Sequence, residues 1–146
     1  MTVKPIPAGH HTVTPYLVVQ GAAQLIDFMK QAFAAEEIQR MTRPDGSIGH
    51  AEVRIGDSMV MLGEAGGEYE PMPAMLHLYV EDADAVYRRA LQAGATSVRE
   101  PVDEFYGDRI GGVKDSSGNQ WWIATHIEDV SPEELIRRQQ AFAKQQ

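Results

Sequence analysis

The sequence predicts an α+β fold made of two βαβββ modules in tandem, followed by a C-terminal helix. The first observation is a repeat, because the order strand, helix and three strands occurs in residues 12–63 and again in residues 75–125. The second is the spacing of the two copies. Val19 corresponds to Val80, and this offset of 80 − 19 = 61 residues holds along both copies. A constant offset indicates two copies of one supersecondary unit.

Length and composition are typical of one globular domain, residues 1–146. Apolar residues make up 43% of the chain and charged residues 23%. The absence of cysteine excludes disulfides, thiolate metal sites and cysteine nucleophiles. A net charge of −8 argues against a nucleic-acid partner, and no apolar run is long enough for a membrane span or a signal peptide. We therefore expect a cytoplasmic domain that binds neither nucleic acid nor membranes.

The first module begins with a predicted strand over residues 12–19, which are rich in β-branched and aromatic side chains. A helix follows from Ala22, because apolar residues recur there at helical spacing. They are Ala22, Leu25, Ile26, Met29, Ala32 and Phe33. Three further strands are predicted at residues 37–41, 50–55 and 58–62. The glycine- and proline-rich residues 64–73 are typical of a linker.

The second module repeats this order, beginning with a strand over residues 75–80. Asp82 is a good N-cap for the following helix, and Gly94 is a good residue for its end. The next strands are predicted at residues 97–102, 109–113 and 120–125. A capping box with proline at its first helical position then predicts a C-terminal helix over residues 131–145.

Five segments give this sequence a close resemblance to a known superfamily. They are residues 14–19, 50–57, 76–82, 107–109 and 125–134. The sequence resembles the vicinal oxygen chelate superfamily, with the glyoxalase and bleomycin-resistance fold, and within it the PhnB-like branch. The resemblance implies curled mixed sheets around a cavity. It also implies a choice of functions, since the superfamily includes glyoxalases, dioxygenases, epimerases and non-catalytic drug-sequestering proteins.

The resemblance also implies where a metal would bind, because each module of the metal-dependent members supplies one ligand from its first strand and one from its last. The corresponding positions in this sequence are Thr14, Met61, Met75 and Trp122. None is a carboxylate or an imidazole, the usual protein ligands of a divalent cation. We expect no metal and no other cofactor at these positions. The alternative is a divalent metal at a shifted site made of His50, Glu52 and His77.

Alternation along the strands selects the candidate functional residues, because it places one set of side chains in the concave face of each sheet. The expected ligand-binding residues on these strands are Tyr16, His50, Met61, Met75, Tyr79 and Trp122. Tyr106, which precedes the seventh strand, is expected to line the mouth of the pocket. Aromatic rings and methionines suit a planar or amphipathic molecule. The expected function is therefore binding of a small aromatic or amphipathic molecule. The alternative is a lyase or isomerase in which His77 or Glu52 is the catalytic base.

Several of these polar residues also have simpler structural interpretations. Glu52 and Arg54 lie on one face of a strand, where a plain cross-strand or solvated ion pair is expected. The neighbours Asp108 and Arg109 are expected to pair with each other and fix a loop. His10 and His11, in an N-terminal arm, are expected to be inert, and His126 is expected to make a surface salt link with Glu128 or Asp129.

The last expectation is a homodimer. A single βαβββ unit leaves a strand edge and a sheet face open, and open edges favour pairing with another chain. The C-terminal helix carries Leu135, Ile136 and Phe142, which would gain by packing on a partner. The linker permits modules to be exchanged between chains or kept within one. The alternative is a monomer whose C-terminal helix folds back on its own chain.

Overall fold

A computed structural model describes residues 2–145 and contains two four-stranded mixed sheets and three helices. The first module contains β1 (Tyr16–Val19), α1 (Ala22–Phe33), β2 (Glu36–Thr42), β3 (Ile48–Ile55) and β4 (Ser58–Glu64). The second module contains β5 (Met75–Tyr79), α2 (Ala83–Gln92), β6 (Thr96–Asp103), β7 (Asp108–Lys114) and β8 (Gln120–His126). The last element is α3 (Pro132–Lys144). The tandem βαβββ modules and the C-terminal helix are confirmed.

Both sheets have the same topology. Their strand orders are β1-β4-β3-β2 and β5-β8-β7-β6, in which the first pair is parallel and the others are antiparallel. Equivalent strands thus occupy equivalent places in the two sheets. In each module a helix follows the first strand. This crossover permits the first strand to pair in parallel with the last strand, because two parallel strands cannot be joined by a short hairpin.

The modules share one hydrophobic core, which lies on the helix side of both sheets. The main contact between the modules is α1 against α2. The fully buried Trp121 of β8 packs against Phe33 of α1, with ring centroids 4.9 Å apart. Its indole nitrogen donates a 2.7 Å hydrogen bond to Asp115. The opposite sheet faces stay open, since Tyr16 is 48% and Tyr79 is 64% exposed.

Two elements differ from the sequence prediction. The first strand begins at Tyr16 rather than at residue 12, because Pro15 has no N–H to add to the ladder, although its carbonyl still accepts from Met61. The predicted linker is partly ordered. The Met72 N–H donates to Val18 O at 3.0 Å, and this places residues 65–73 along the outer edge of β1.

The C-terminal helix packs on the end of the second module. Ser131 caps its N-terminus by accepting from the Glu134 N–H at 3.2 Å. Arg138 joins it to Glu128, and Phe142 lies with its ring centroid 5.3 Å from that of Phe105. None of its residues is buried. Among residues 2–145, no helix combines the length and the hydropathy that crossing a membrane requires.

Candidate functional site

A cleft of about 540 Å³ lies on the open face of the first sheet, at the end nearest the linker. One wall comes from β1, with Tyr16 and Val18, and the other from the ordered linker, with Tyr69 and Met72. Arg43 and Glu64 also line it. Tyr69 is 60% and Met72 58% exposed. The cleft therefore presents apolar and aromatic surface to solvent beside a few polar groups, as small-molecule sites do.

Two glycines, Gly49 and Gly63, complete the lining of the cleft. A Cβ added at Gly63 would lie 2.8 Å from the Gly49 carbonyl oxygen and 3.1 Å from the Tyr16 hydroxyl. The first distance is shorter than real Cβ atoms show. The glycine at position 63 thus permits β3 and the Tyr16 side chain to approach β4 closely.

A chain of hydrogen bonds runs from this cleft across the sheet. The Tyr16 hydroxyl lies 3.1 Å from His50 Nδ1, and His50 Nε2 lies 3.2 Å from Glu52 Oε2. The other oxygen of Glu52 lies 3.0 Å from His10 Nε2. These distances fit a tautomer in which His50 accepts from Tyr16 and donates to Glu52. The half-buried carboxylate of Glu52 thus holds the histidine ring in place.

The expectation that His10 is inert was wrong, whereas Arg54 forms the expected cross-strand ion pair. Glu52 binds His10 and His50, and Arg54 binds Glu36 on the neighbouring strand β2. Partners across strands are closer than partners two residues apart along one strand, which explains why Arg54 pairs with Glu36. His10 belongs to the polar network, so the N-terminal arm is anchored to the sheet.

The open face of the second sheet carries four of the candidate residues: Met75, His77, Tyr79 and Trp122. Met75 is 69% exposed. The His77 side chain is also exposed, and its ring lies edge-on to Tyr79 with centroids 4.8 Å apart. Within residues 2–145, no hydrogen bond orients the His77 ring. An exposed imidazole without an orienting partner is poorly held for catalysis.

Trp122 is half-buried against its own sheet. A Cβ added at Gly112 would lie 2.8 Å from the Trp122 ring, and the Arg99 guanidinium carbon lies 5.3 Å from the ring centroid. Neighbouring strands therefore contact much of the indole. Tyr106, the remaining candidate, is 39% exposed and lies edge-on to Phe105. Burial is the main reason that its pKa is raised.

Asp108 is a buried carboxylate at the centre of a second polar group. It accepts a 2.7 Å hydrogen bond from the Tyr79 hydroxyl and lies 2.8 Å from His126 Nδ1. The bond that Tyr79 donates to Asp108 is the main reason that the pKa of Tyr79 is raised. The hydrogen bonds of His126 to Asp108 and then to Asp129 raise the pKa of His126. The link from His126 to Asp129 is confirmed, at 2.7 Å.

The expected pairing of Asp108 with Arg109 was wrong. Arg109 instead binds Asp84 at 2.7 Å and Asp103 at 3.0 Å. Adjacent residues of a strand point to opposite faces, and the two side chains therefore diverge. Asp108 points toward Tyr79, while Arg109 holds β7 to α2 and to β6.

The four positions that the resemblance predicts for metal ligands fall two on each module. Met61 of β4 lies opposite Tyr16 in the register, and Thr14 precedes β1. Trp122 of β8 lies opposite His77, and Met75 lies opposite Gln120.

The alternative shifted metal site is not assembled within this chain. His50 and Glu52 lie on the first sheet, and His77 lies on the second. Across the described part of the chain, no group of three or more His, Asp or Glu side chains has an arrangement that could hold a metal ion.

Comparison with known proteins gives consistent similarities. A family model described as Glyoxalase/Bleomycin resistance protein/Dioxygenase superfamily matches residues 9–123. The uncharacterized protein Mb0911c of Mycobacterium bovis is 39% identical over 134 residues, which cover 84% of this chain and 88% of that protein. TioX from Micromonospora sp. ML1 has a crystal structure with a TM-score of 0.67 at 24% identity, covering 81% of this chain and 98% of TioX. The crystal structure of a glyoxalase/bleomycin resistance protein/dioxygenase family enzyme from Burkholderia phytofirmans PsJN has a TM-score of 0.63 at 16% identity. The match covers 78% of this chain and 97% of that enzyme's chain.

Proposed function

The chain belongs to the glyoxalase/bleomycin resistance protein/dioxygenase superfamily, and within it we propose that the protein binds a small aromatic or amphipathic molecule. The observation that supports this most directly is the cleft of about 540 Å³ on the first sheet. Its exposed Tyr69 and Met72 supply apolar area that a planar ligand can cover, and burying such area favours binding. The segments around His50 and His77 also lead us to propose the PhnB-like branch.

Binding in this cleft can be tested with N-phenyl-1-naphthylamine, a neutral aromatic probe whose fluorescence rises in apolar surroundings. We expect saturable binding to the wild-type protein and weaker binding to a Tyr69→Ala/Met72→Ala double variant, which lacks the linker wall. Ile136→Ala is the matched control, because Ile136 is 56% exposed but lies on α3. Equal loss in the control, or no saturable binding to the wild type, would contradict the proposal.

We propose further that ligand binding needs no metal at Thr14, Met61, Met75 and Trp122. The hydroxyl, thioether and indole groups at these positions are poor ligands for hard divalent cations. Elemental analysis of the purified protein should find well under one nickel, zinc, iron or manganese ion per chain. About one ion per chain, lost in both His50→Ala and His77→Ala, would instead support a shifted site.

A second candidate function is proton-transfer catalysis by a lyase or isomerase, and one observation favours it. The chain Glu52–His50–Tyr16 connects a half-buried carboxylate to a hydroxyl in the cleft. A carboxylate that orients an imidazole can raise its ability to take up a proton. His77 lacks such support, so Glu52 acting through His50 is the better candidate of the two.

The two functions can be separated once a thermal-shift screen of metabolites and antibiotics has found a ligand. Mass spectrometry then shows whether the ligand is converted. A product formed by the wild type and by His77→Ala, but not by Glu52→Gln, would support catalysis through His50. Recovery of the unchanged ligand would support binding alone.

We also propose that the protein is a homodimer. Exposed apolar side chains on the open sheet faces, including Met75 and Tyr79, would be covered by a second copy. Because α3 packs on the end of the second module, it leaves the open face with Met75 and Tyr79 available to a partner. Light scattering should report twice the 16.2 kDa of one chain. A mass of one chain at micromolar concentration would contradict the dimer.

A further inference from the structure

We propose that the cleft recognises an anionic group through Arg43, and that its ligand is therefore an aromatic anion such as an arene carboxylate or sulfonate. This inference rests on the proposed binding function, and it names the chemical class that the cleft prefers. It depends on three features of the structure: the position of the Arg43 side chain, the lack of an acidic partner for it, and the aromatic surface in the same cleft.

The Arg43 side chain is held at the edge of the cleft. Its backbone opens a tight turn in which the Arg43 N–H donates to Ser47 O at 2.8 Å. Asp45 fixes the same turn by accepting from the Ser47 N–H at 2.9 Å. A Cβ at Gly49 would lie 3.3 Å from Arg43 Cγ and 3.4 Å from its Nε. The glycine thus leaves room for the side chain to lie along the sheet.

The guanidinium group has no acidic partner. Its hydrogen bonds go to the Ser47 hydroxyl at 3.3 Å and to the Glu64 carbonyl at 3.5 Å, both neutral acceptors at long range. Within residues 2–145, no carboxylate oxygen lies within 4.0 Å of it. Six of the nine arginines are paired with acids, namely Arg40, Arg54, Arg99, Arg109, Arg137 and Arg138. Arg88 and Arg89 of α2 have no such pair with a described residue, but they do not line this cleft. An unpaired guanidinium in a cleft is a natural partner for a planar anion.

Two carboxylates in the neighbourhood of Arg43, those of Glu64 and Asp45, are bound elsewhere. Glu64 lines the cleft, but its oxygens accept from the Gly21 and Ala22 N–H groups at 2.9 and 3.0 Å. Its negative charge therefore faces the positive N-terminus of α1. Asp45 is held by Ser47, whose hydrogen bonds are the main reason that the pKa of Asp45 is lowered. Arg43 contributes to that shift at longer range, and an entering anion would be its first close ionic partner.

Aromatic and apolar surface lies beside this cation. Tyr16, Val18, Tyr69 and Met72 share the cleft with Arg43. A ligand that fills the site therefore needs a flat apolar body and one negative charge. The protein as a whole carries a charge of −8, which repels anions. Any preference for an anion over its neutral analogue must then come from a local group.

Two probes with one carbon skeleton test this inference. 8-Anilinonaphthalene-1-sulfonate carries a sulfonate, and N-phenyl-1-naphthylamine is the same molecule without it. Fluorescence titration should show that the wild type binds the sulfonate more tightly than the neutral amine. Arg43→Gln should weaken sulfonate binding about fivefold, the size of an exposed charge pair, and should weaken amine binding by clearly less.

Arg88→Gln is the matched control. Arg88 is exposed on α2, has no ion pair with another described residue, and lines a separate cleft of about 500 Å³ beside α2 instead of this one. The two substitutions change the net charge equally, so they alter non-specific attraction alike. Arg43→Lys keeps the charge without the planar fork and should restore part of the affinity. Sulfonate binding to the wild type should also weaken as ionic strength rises.

The inference is overturned if Arg43→Gln and Arg88→Gln lose sulfonate affinity equally, or if Arg43→Gln binds the sulfonate as the wild type does. It is also overturned if both probes weaken in parallel in Arg43→Gln, because the cleft and not the charge would then have changed. If neither probe binds the wild type, the proposed binding function fails. Amine binding without a preference for the sulfonate would leave the binding function standing and remove only the role of Arg43.

Discussion

Substitution of Gly63 by alanine should test the close approach of strands on which the cleft depends. The added methyl group would lie 2.8 Å from the Gly49 carbonyl oxygen, a backbone atom that cannot rotate away. It would also lie 3.1 Å from the Tyr16 hydroxyl. Either β3 and β4 must separate locally or Tyr16 must leave its hydrogen bond with His50.

The cost can be estimated from similar overpacking. An extra methyl group in a closely packed site typically costs about 1–3 kcal/mol. For a domain of this size, that corresponds to a fall in Tm of roughly 3–10 °C. Gly63 lies in regular β4 without a positive φ, so no backbone strain adds to this figure. Gly66→Ala is the control, because a Cβ there meets nothing within 4 Å and Gly66 also lacks a positive φ.

Thermal and urea unfolding followed by circular dichroism would measure both variants. Gly66→Ala should match the wild type or be slightly more stable, since alanine restricts the unfolded chain. Gly63→Ala should be less stable and should bind N-phenyl-1-naphthylamine more weakly. Equal stability of the two variants would refute the reasoning, because β3 and β4 would then accommodate the methyl group freely.

Two further predictions concern the second module. Asp115→Ala should lower the free energy of unfolding by about 1–3 kcal/mol in urea titrations, because it leaves the buried indole N–H of Trp121 without its acceptor. The second prediction concerns His126, whose hydrogen bond with Asp108 raises its folded-state pKa above 6.5. The stabilisation from this hydrogen bond is therefore complete below pH 6.5 and is lost as pH rises through the raised pKa. The stability difference between wild type and His126→Gln should therefore shrink from pH 6 to pH 9, and a constant difference would contradict the assigned pairing.

Local patterns determined most of the fold. The helical spacing from Ala22 to Phe33 correctly predicted α1, and the capping signals at Asp82 and Ser131 correctly predicted where α2 and α3 begin. These signals act between residues three or four apart, so that a single sequence contains them in full. The first strand was the exception, because the β-branched and aromatic composition of residues 12–19 suggested a longer strand than the backbone hydrogen bonds allow.

The candidate site was only partly predictable. Alternation correctly placed Tyr16, His50 and Glu52 on one sheet face. Nothing in the sequence indicated that His10 would bind Glu52, or that Glu36 would be the cross-strand partner of Arg54. Arg43 was missed as a site residue. A basic residue before a Pro-Asp-Gly turn is usually solvated, and only its position beside the linker makes it part of a cleft.

By itself, the sequence determined the repeat, the helices and the face on which each strand residue lies, because periodicity is set by neighbours along the chain. Only the tertiary structure decided which side chains meet. The linker folds against β1 through the bond from Met72 to Val18, and Glu64 turns toward the helix N-terminus at Gly21. Such partners are more than forty residues apart, and their meeting depends on the packing of whole elements. The tertiary structure thereby leaves Arg43 unpaired beside an apolar cleft.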